Sequence, residues 1–192
     1  MRVTRAQAEE NRQNVIDVAS RLFREHGFDG IGLKDLMEGA GMTHGAFYKQ
    51  FDSKENLVAE ASSRALEWAA ARWLEAVAAN PKDPLGAVLA FYLSKAHRAE
   101  KMEGCPLVAL GSDAARQSAD VKASFEAGIR EHLNILSSLL SKTDAEERRE
   151  KAMAILSTMV GAVMLARIVN NPRLAQGFLN AATESVREAA TS

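Results

Sequence analysis

Residues 33–51 read LKDLMEGAGMTHGAFYKQF, two short segments of helical apolar spacing joined by a glycine turn at Gly41. The side chains that can face inward from this pair are Leu36, Ala40, Met42, Phe47 and Phe51. Two short helices bury little surface alone, so a third helix must hold them, and the amphipathic segment 12–26 suits that role. The stretch therefore predicts a three-helix unit with a helix-turn-helix inside it.

The outer face of the second short helix carries Thr43, His44, Gly45, Tyr48 and Lys49. In a helix-turn-helix, such residues meet base edges in the major groove of DNA. Thr43 can cap the helix and donate to a phosphate, Gly45 leaves room for the DNA backbone, and Tyr48 offers a hydroxyl donor. Lys49, and Lys54 at the start of the next helix, add positive charge. A glycine turn between amphipathic helices also serves purely structural roles, so these residues alone leave both interpretations open.

Charge does not decide between them. Residues 1–54 hold eight basic and eight acidic side chains, and the whole chain has a formal net charge of −1. A basic footprint on DNA therefore requires segregation onto one face, with Arg2 and Arg5 in an N-terminal arm as candidates.

The rest of the chain also has helical periodicity. A long helix begins after Asp52 or Ser53, either of which can cap it, and ends before Pro81. Further helices are predicted from Asp83–Pro84, from Cys105–Pro106, over 119–141, over 144–169 behind a Thr143/Glu146 capping box, and from Asn171–Pro172. We therefore predict an all-α protein of about nine helices. Residues 1–53 form the helix-turn-helix domain, and residues 54–192 form a helical second domain.

The composition excludes several classes of protein. With 47% hydrophobic residues the chain is not disordered, and a single cysteine rules out an intramolecular disulfide framework, which fits a reducing cytoplasm. The N-terminus has no apolar segment typical of a signal peptide. Segment 152–169 is nearly long enough to span a bilayer, but it contains Arg167 and follows the charged run EERREK. We predict a largely buried helix there and no membrane partner.

Residues 23–61, FREHGFDGIGLKDLMEGAGMTHGAFYKQFDSKENLVAEA, resemble the N-terminal DNA-binding domain of TetR/AcrR-family transcriptional regulators. The matching features are Phe23, Gly27-Phe28, Leu36, Ala40-Gly41, Gly45, Phe47-Tyr48, Phe51 and Ser53-Lys54-Glu55 before Leu57. The resemblance implies DNA contacts from Thr43, His44, Tyr48 and Lys54, with Gly45 allowing close approach. It also implies that the divergent C-terminal region binds a small molecule and forms a dimer.

The chain departs from the family pattern at two positions. Ile31-Gly32 stands where the family usually has a hydroxyl residue that caps the second helix and touches phosphate, so this chain has no hydroxyl there for that contact. His44 replaces a residue that is more often lysine, which predicts a weak pH dependence of DNA affinity.

The 144–169 helix suggests a dimer interface. Its small residues allow close approach of another helix, and its apolar residues leave too few polar positions for a solvated surface. Packing with the last helix and its symmetry mates predicts a two-fold four-helix interface. The residues assigned to it are Ser157, Val160, Gly161, Met164 and Phe178.

A ligand pocket is expected among the helices from 54 to 168, for an effector that is largely apolar. The residues assigned to it are Trp68, Phe91, His97, Cys105, Phe125 and His132. Cys105 supports two interpretations. At a helix N-cap the dipole lowers a thiol pKa, which would suit an electrophile or oxidant sensor, whereas a free cysteine is more commonly a small buried core residue.

These expectations combine into one mechanism. A homodimer inserts its two 44–50 helices into successive major grooves of a palindromic double-stranded DNA operator, about 34 Å apart, and a small molecule releases it by tilting the 54–79 helix. No cofactor, metal site or catalytic residue is predicted. The competing classes are an enzyme with Cys105 as nucleophile and His97 or His132 as base, and a helical protein-interaction adaptor.

Overall fold

A computed structural model describes residues 4–140 and 144–191, and within those ranges it contains helices and no strand. The ten helical elements there are α1 (Arg5–His26), α2 (Leu33–Gly39), a 3₁₀ helix (His44–Lys49), α3 (Lys54–Ala79), α4 (Pro84–Tyr92), α5 (Lys95–Ala99), α6 (Pro106–Ala114), α7 (Ala119–Leu139), α8 (Ala145–Ile168) and α9 (Pro172–Thr191). The all-α prediction is confirmed.

The predicted helix starts are set by caps. Ser53, rather than Asp52, caps α3, because its Oγ accepts the Asn56 N–H at 3.0 Å. Asp83 caps α4 through the Gly86 N–H, with Pro84 in the first turn as predicted. Thr143 lies outside the described residues. Asp144 caps α8 by accepting the N–H groups of both Glu146 and Glu147.

Two elements differ in kind from the sequence-based expectation. The second helix of the helix-turn-helix is a six-residue 3₁₀ helix, a form that is used in short pieces. Helix α5 was not predicted, because five residues are too few to show an apolar period. Ser94 caps α5 by accepting the His97 N–H at 3.0 Å, and this cap brings His97 into the core.

The helices enclose two hydrophobic cores that meet along α3. The first core lies under α1, α2, the 3₁₀ helix and the first half of α3; we call residues 4–53 the head. Leu110 of α6 and both Val121 and Phe125 of α7 also belong to this core. The second core lies among α4, α7, α8, α9 and the second half of α3. The domain boundary at 53/54 stays a prediction, since α3 contributes to both cores.

Helix α3 forms the spine of the molecule because it packs on α1, α4 and α7. Its contact with α7 is close at Gly128, where an added Cβ would lie 2.6 Å from the Cβ of Leu66. Helix α8 packs between α7 and α9. A displacement of α3 therefore reaches the head at one end and the second core at the other.

Candidate nucleic-acid interface and buried cavities

The 3₁₀ helix and its N-cap present the predicted contact residues to solvent. Thr43, His44, Gly45, Tyr48 and Lys49 are all exposed. Tyr48 is 67% exposed, and its ring lies edge-on to those of His44 and the buried Phe47, with centroids 5.8 and 5.2 Å away. The head thus holds a large aromatic side chain outward in a defined position, as a contact surface requires.

Two glycines shape this face. Gly41 has φ +69°, a left-handed conformation that lets the chain turn from α2 into the 3₁₀ helix. A Cβ at Gly45 would meet nothing within 4 Å, so the fold itself leaves open space there. Thr43 occupies the N-cap, but its hydroxyl makes no capping bond, contrary to the expected cap. The space above Gly45 suits the predicted close approach of a DNA backbone.

Lys54 is directed toward the head rather than outward. Its ammonium donates to the carbonyls of Phe28 and Ile31 at 2.7 and 2.9 Å, and it lies 6.0 Å from the centroid of the Phe23 ring. Lys54 therefore fixes the loop between α1 and α2 to the start of α3. An ammonium has three donors, so one remains for a phosphate. Its role at DNA stays a prediction.

The base of the head is tied to the rest of the molecule by polar contacts. The Arg12 guanidinium donates to the Gln50 carbonyl at 3.3 Å and pairs with Glu60 of α3, and it covers the Phe51 ring. Asn14 donates to the Ala40 carbonyl at 2.9 Å, at the helix-turn-helix turn. These bonds give the 3₁₀ helix a fixed orientation relative to α1 and α3.

Five of the six residues predicted to bind a ligand surround one small internal void: Trp68, Phe91, His97, Cys105 and His132. A cavity of about 440 Å³ adjoins this void and shares several of its walls, among them Trp68, Phe91 and His97. We call the void and the cavity together the chamber. It lies among α3, α4, α5 and α7, where the α4–α5 turn and the loop before α6 bring residues distant in sequence together.

Phe125 is separate from that cluster. It lines a groove of about 780 Å³ between α6, α7 and α8, whose walls include Leu107, Ile129 and Leu133. Ser157 and Val160, both assigned to the dimer interface, line the same groove. The sequence could not separate the chamber from the groove, because both draw on α7.

The two buried histidines of the chamber have structural roles. His97 donates through Nδ1 to the Tyr92 carbonyl at 2.7 Å and accepts the Cys105 N–H at Nε2, 3.2 Å away, which suits a neutral ring. Burial lowers the pKa of His97 from 6.5 to about 4. Burial also lowers the pKa of His132, whose Nδ1 lies 2.7 Å from the Gly128 carbonyl.

Cys105 is the N-cap residue of α6, as predicted, but its pKa moves in the opposite direction to the one expected. The thiol is 3% exposed, and burial raises its pKa above the ordinary value, despite backbone N–H groups that favour the thiolate. Desolvation outweighs the helix dipole here. The neighbouring Tyr92 hydroxyl is also buried, and it lies beside the Cys105 thiol. The two groups therefore face each other away from solvent.

An exposed apolar surface runs along α8 and the start of α9. Met153, Met164, Leu165, Ile168 and Leu174 are each at least 36% exposed. Gly161 opens onto free space, whereas Phe178 is half-buried against the second core. Helix α8 is long and apolar enough to cross a membrane by length and composition, yet it packs on α7 and α9. Exposed apolar patches are typical of protein–protein or membrane interaction sites, so the assignment of this surface to a dimer interface stays a prediction.

Sequence reasoning missed the arginines that hold the loop before α6. The Arg24 guanidinium, 2% exposed, donates to the Gly104 carbonyl at 3.1 Å and lies 3.8 Å from Glu103. Arg167 donates to the carbonyls of His97, Arg98 and Glu100. A lone arginine inside the apolar run of α8 was the available signal, since a buried cation needs partners. Within residues 4–140 and 144–191, no group of three or more His, Cys, Asp or Glu could hold a metal ion.

Comparison with known proteins agrees with this architecture. Residues 15–61 match the model of bacterial regulatory proteins of the tetR family, and residues 81–174 match that of the LmrA/YxaF-like transcriptional regulator C-terminal domain. The HTH-type transcriptional regulator LmrA of Bacillus subtilis (strain 168) is 24% identical over 167 residues, which cover 84% of this chain and 89% of LmrA.

Solved structures share the fold over nearly the whole chain. The reduced form of E. coli NemR superposes with a TM-score of 0.78 at 23% identity, covering 94% of this chain and 97% of NemR. A TetR transcriptional regulator from Chloroflexus aurantiacus gives a TM-score of 0.78 at 26% identity, covering 95% and 97%. With the head, the exposed 3₁₀ helix and both sequence matches in agreement, the chain belongs to the TetR family of DNA-binding transcriptional regulators.

Proposed function

We propose that this protein is a cytoplasmic repressor that binds a palindromic operator as a homodimer and releases it when a small molecule binds the chamber. TetR-family regulators bind DNA and small-molecule effectors and work as dimers. The observation that carries the proposal for this chain is the exposed Tyr48, held outward beside open space at Gly45. The contacts assigned to DNA are Thr43, His44, Gly45, Tyr48, Lys49 and Lys54.

The test is a binding titration with the DNA that lies upstream of the protein's own gene. Tyr48→Ala lowers operator affinity by about ten- to a hundredfold, as expected for loss of a contact at the centre of a DNA interface. Leu74→Ala, which removes an exposed apolar side chain from the second half of α3 and outside the chamber, serves as the control and leaves operator affinity unchanged. Full affinity in Tyr48→Ala, with the wild type binding specifically, would refute the assignment of this face.

The dimer rests on the exposed apolar surface of α8 and α9. Two copies related by a two-fold axis would cover Met164 and Ile168 against the same surface of the partner, and Gly161 would let the helices approach closely. Ser157, Val160 and Phe178 flank that contact. Ile168→Glu, at a position 69% exposed in one chain, gives a monomer in sedimentation velocity at micromolar concentration. A dimer that persists in Ile168→Glu places the interface elsewhere.

The chamber and the head are connected through α3, which begins at the head and carries Trp68 in the chamber wall. An effector that binds better when α3 is tilted would change the separation of the two 3₁₀ helices. A coupling of roughly 1–3 kcal/mol is typical for such a linkage.

A thiol-based sensor is the second candidate, because Cys105 lies at the inner end of the chamber. Its raised pKa predicts slow reaction with electrophiles in the folded protein. The Cys105→Ser variant distinguishes a thiol-based sensor from release by a bound small molecule. If oxidants and electrophiles still release the operator from this variant, the thiol has no part in the mechanism. Members of the family are transcriptional regulators, which argues against an enzyme built on Cys105 and a histidine.

A further inference from the structure

One surface arginine lies over two aromatic rings at the mouth of the chamber. The guanidinium carbon of Arg72 is 5.3 Å from the centroid of the Trp68 ring and 5.4 Å from that of Phe91. Its side chain is 43% exposed, and its ion partner is Glu75 at 3.6 Å, one turn along α3. Two aromatic rings that face one partly exposed cation form a cation-binding surface.

One carboxylate of the cavity favours a second cation. Glu100 and Glu103 both line the cavity, opposite Arg72. Glu103 already pairs with Arg21 and faces Arg24, whereas Glu100 makes no ion pair among the described residues and is open to a ligand cation. His97, which also lines it, is neutral at physiological pH because burial lowers its pKa to about 4.

We propose that the chamber binds an aromatic organic cation, which replaces the Arg72 guanidinium over Trp68 and Phe91 and is neutralised by Glu100 and Glu103. This assignment rests on the proposed function, because it names the chemical class of its effector. A cavity of about 440 Å³ is large enough for one such molecule, with the aromatic part against the rings and the charge toward the carboxylates.

Glu103 connects this site to the head. It pairs with Arg21 at 2.6 Å and lies 3.8 Å from Arg24, both on α1. The Arg24 guanidinium is buried and also lies 5.5 Å from the centroid of the Trp68 ring. A ligand cation that draws Glu103 toward itself removes the carboxylate facing Arg24, and a buried cation without its counter-charge is unstable. Helix α1 must then shift relative to the loop before α6, and α1 supports the helix-turn-helix.

The first test compares two small probes of the same shape, phenyltrimethylammonium and the neutral tert-butylbenzene, on the full-length protein by ligand-observed NMR. We expect the cation to bind about tenfold more tightly than the neutral probe, the upper range for a desolvated cation–aromatic contact. Equal affinity for the two probes would overturn the proposal.

Two variants locate the binding. Glu100→Gln keeps an acceptor oxygen and lowers affinity for the cation about threefold or more without changing that for tert-butylbenzene. Arg72→Met frees the rings and raises affinity for the cation by a similar factor. Glu67→Gln removes the same charge from an exposed position of α3 and serves as the matched control. A Glu100→Gln protein that binds the cation as the wild type does, or an Arg72→Met protein that binds it more weakly, contradicts the site.

The second test measures operator binding with and without phenyltrimethylammonium. A cation that binds and lowers the operator affinity of the wild type, but less in Glu100→Gln, supports the inference. Operator binding that is specific but insensitive to a bound cation overturns the regulatory role and leaves the proposed DNA-binding function intact. A protein that binds no DNA at all, yet discriminates between the two probes, refutes the proposed function and retains the cation site.

Discussion

The two tyrosines of this chain occupy opposite surroundings in two regions built from similar side chains. Tyr48, on the head, is 67% exposed, whereas Tyr92, beside the chamber, is 1% exposed. The histidines divide in the same way, with His44 in solvent and His97 in the core. Side chains on the head surface do little for the fold, whereas those of the chamber hold it together. Substitutions in the two regions should therefore separate binding from stability.

The largest expected effect is in the chamber, where His97 makes stability depend on pH. Its pKa is about 4 in the folded protein against 6.5 ordinarily, so the unfolded chain binds the proton first. Stability is complete above pH 6.5 and falls as the pH drops toward 4, by about 3 kcal/mol in all. Urea unfolding at several pH values and one protein concentration measures it.

His97→Asn is the variant for this measurement. Between pH 7 and pH 4 the free energy of unfolding should fall less in this variant than in the wild type. The difference between the two falls should be about 3 kcal/mol, because the variant lacks the group that titrates. His26→Asn, at an exposed position, should behave as the wild type does. Parallel pH curves for the wild type and His97→Asn would show that His97 is not the group responsible.

Lys54 tests whether a residue can serve both binding and stability. It belongs to the predicted DNA-binding motif, but its ammonium donates hydrogen bonds toward the interior of the head. Lys54→Met keeps the stem over Phe23 and removes the bonds to the Phe28 and Ile31 carbonyls. We expect a loss of about 2 kcal/mol in the free energy of unfolding, because the lost donor is charged. The exposed Lys49→Met should change stability by less than about 0.5 kcal/mol. Equal effects in the two variants would contradict the anchoring role of Lys54.

Substitution of Gly45 should cause the smallest change in the free energy of unfolding. It should also separate an effect on operator binding from an effect on stability most clearly. Gly45→Ala adds a methyl group into open space, so the fold tolerates it, while operator affinity falls about tenfold because the methyl group meets the DNA backbone. Gly128→Ala is the opposite case: its Cβ would collide with Leu66, and overpacking destabilises the fold by about 1–3 kcal/mol. Thermal unfolding and fluorescence anisotropy distinguish the two. A Gly45→Ala protein with undiminished operator affinity would remove the close approach assigned to this position.

The all-α fold and most helix starts could be predicted from the sequence, because caps, glycines and apolar spacing act locally. Ser53, Asp83 and Pro84 open their helices whatever the rest of the chain does. The direction of Lys54 was not predictable, since it depends on carbonyls more than twenty residues away. The pKa of Cys105 was misjudged for the same reason: its N-cap position is local, whereas its burial results from packing of distant helices.

The shared core along α3 has a consequence for folding. The apolar face of the head is completed by Leu110, Val121 and Phe125, which come from α6 and α7. A fragment that stops at the end of α3 would expose that face to water, so we expect that the head does not fold on its own. The chain should unfold in one cooperative step, with amide protons in the head exchanging no more readily through global opening than those of α7. The head, which we propose binds DNA, then depends for its fold on α6 and α7, and α7 also lines the proposed ligand chamber.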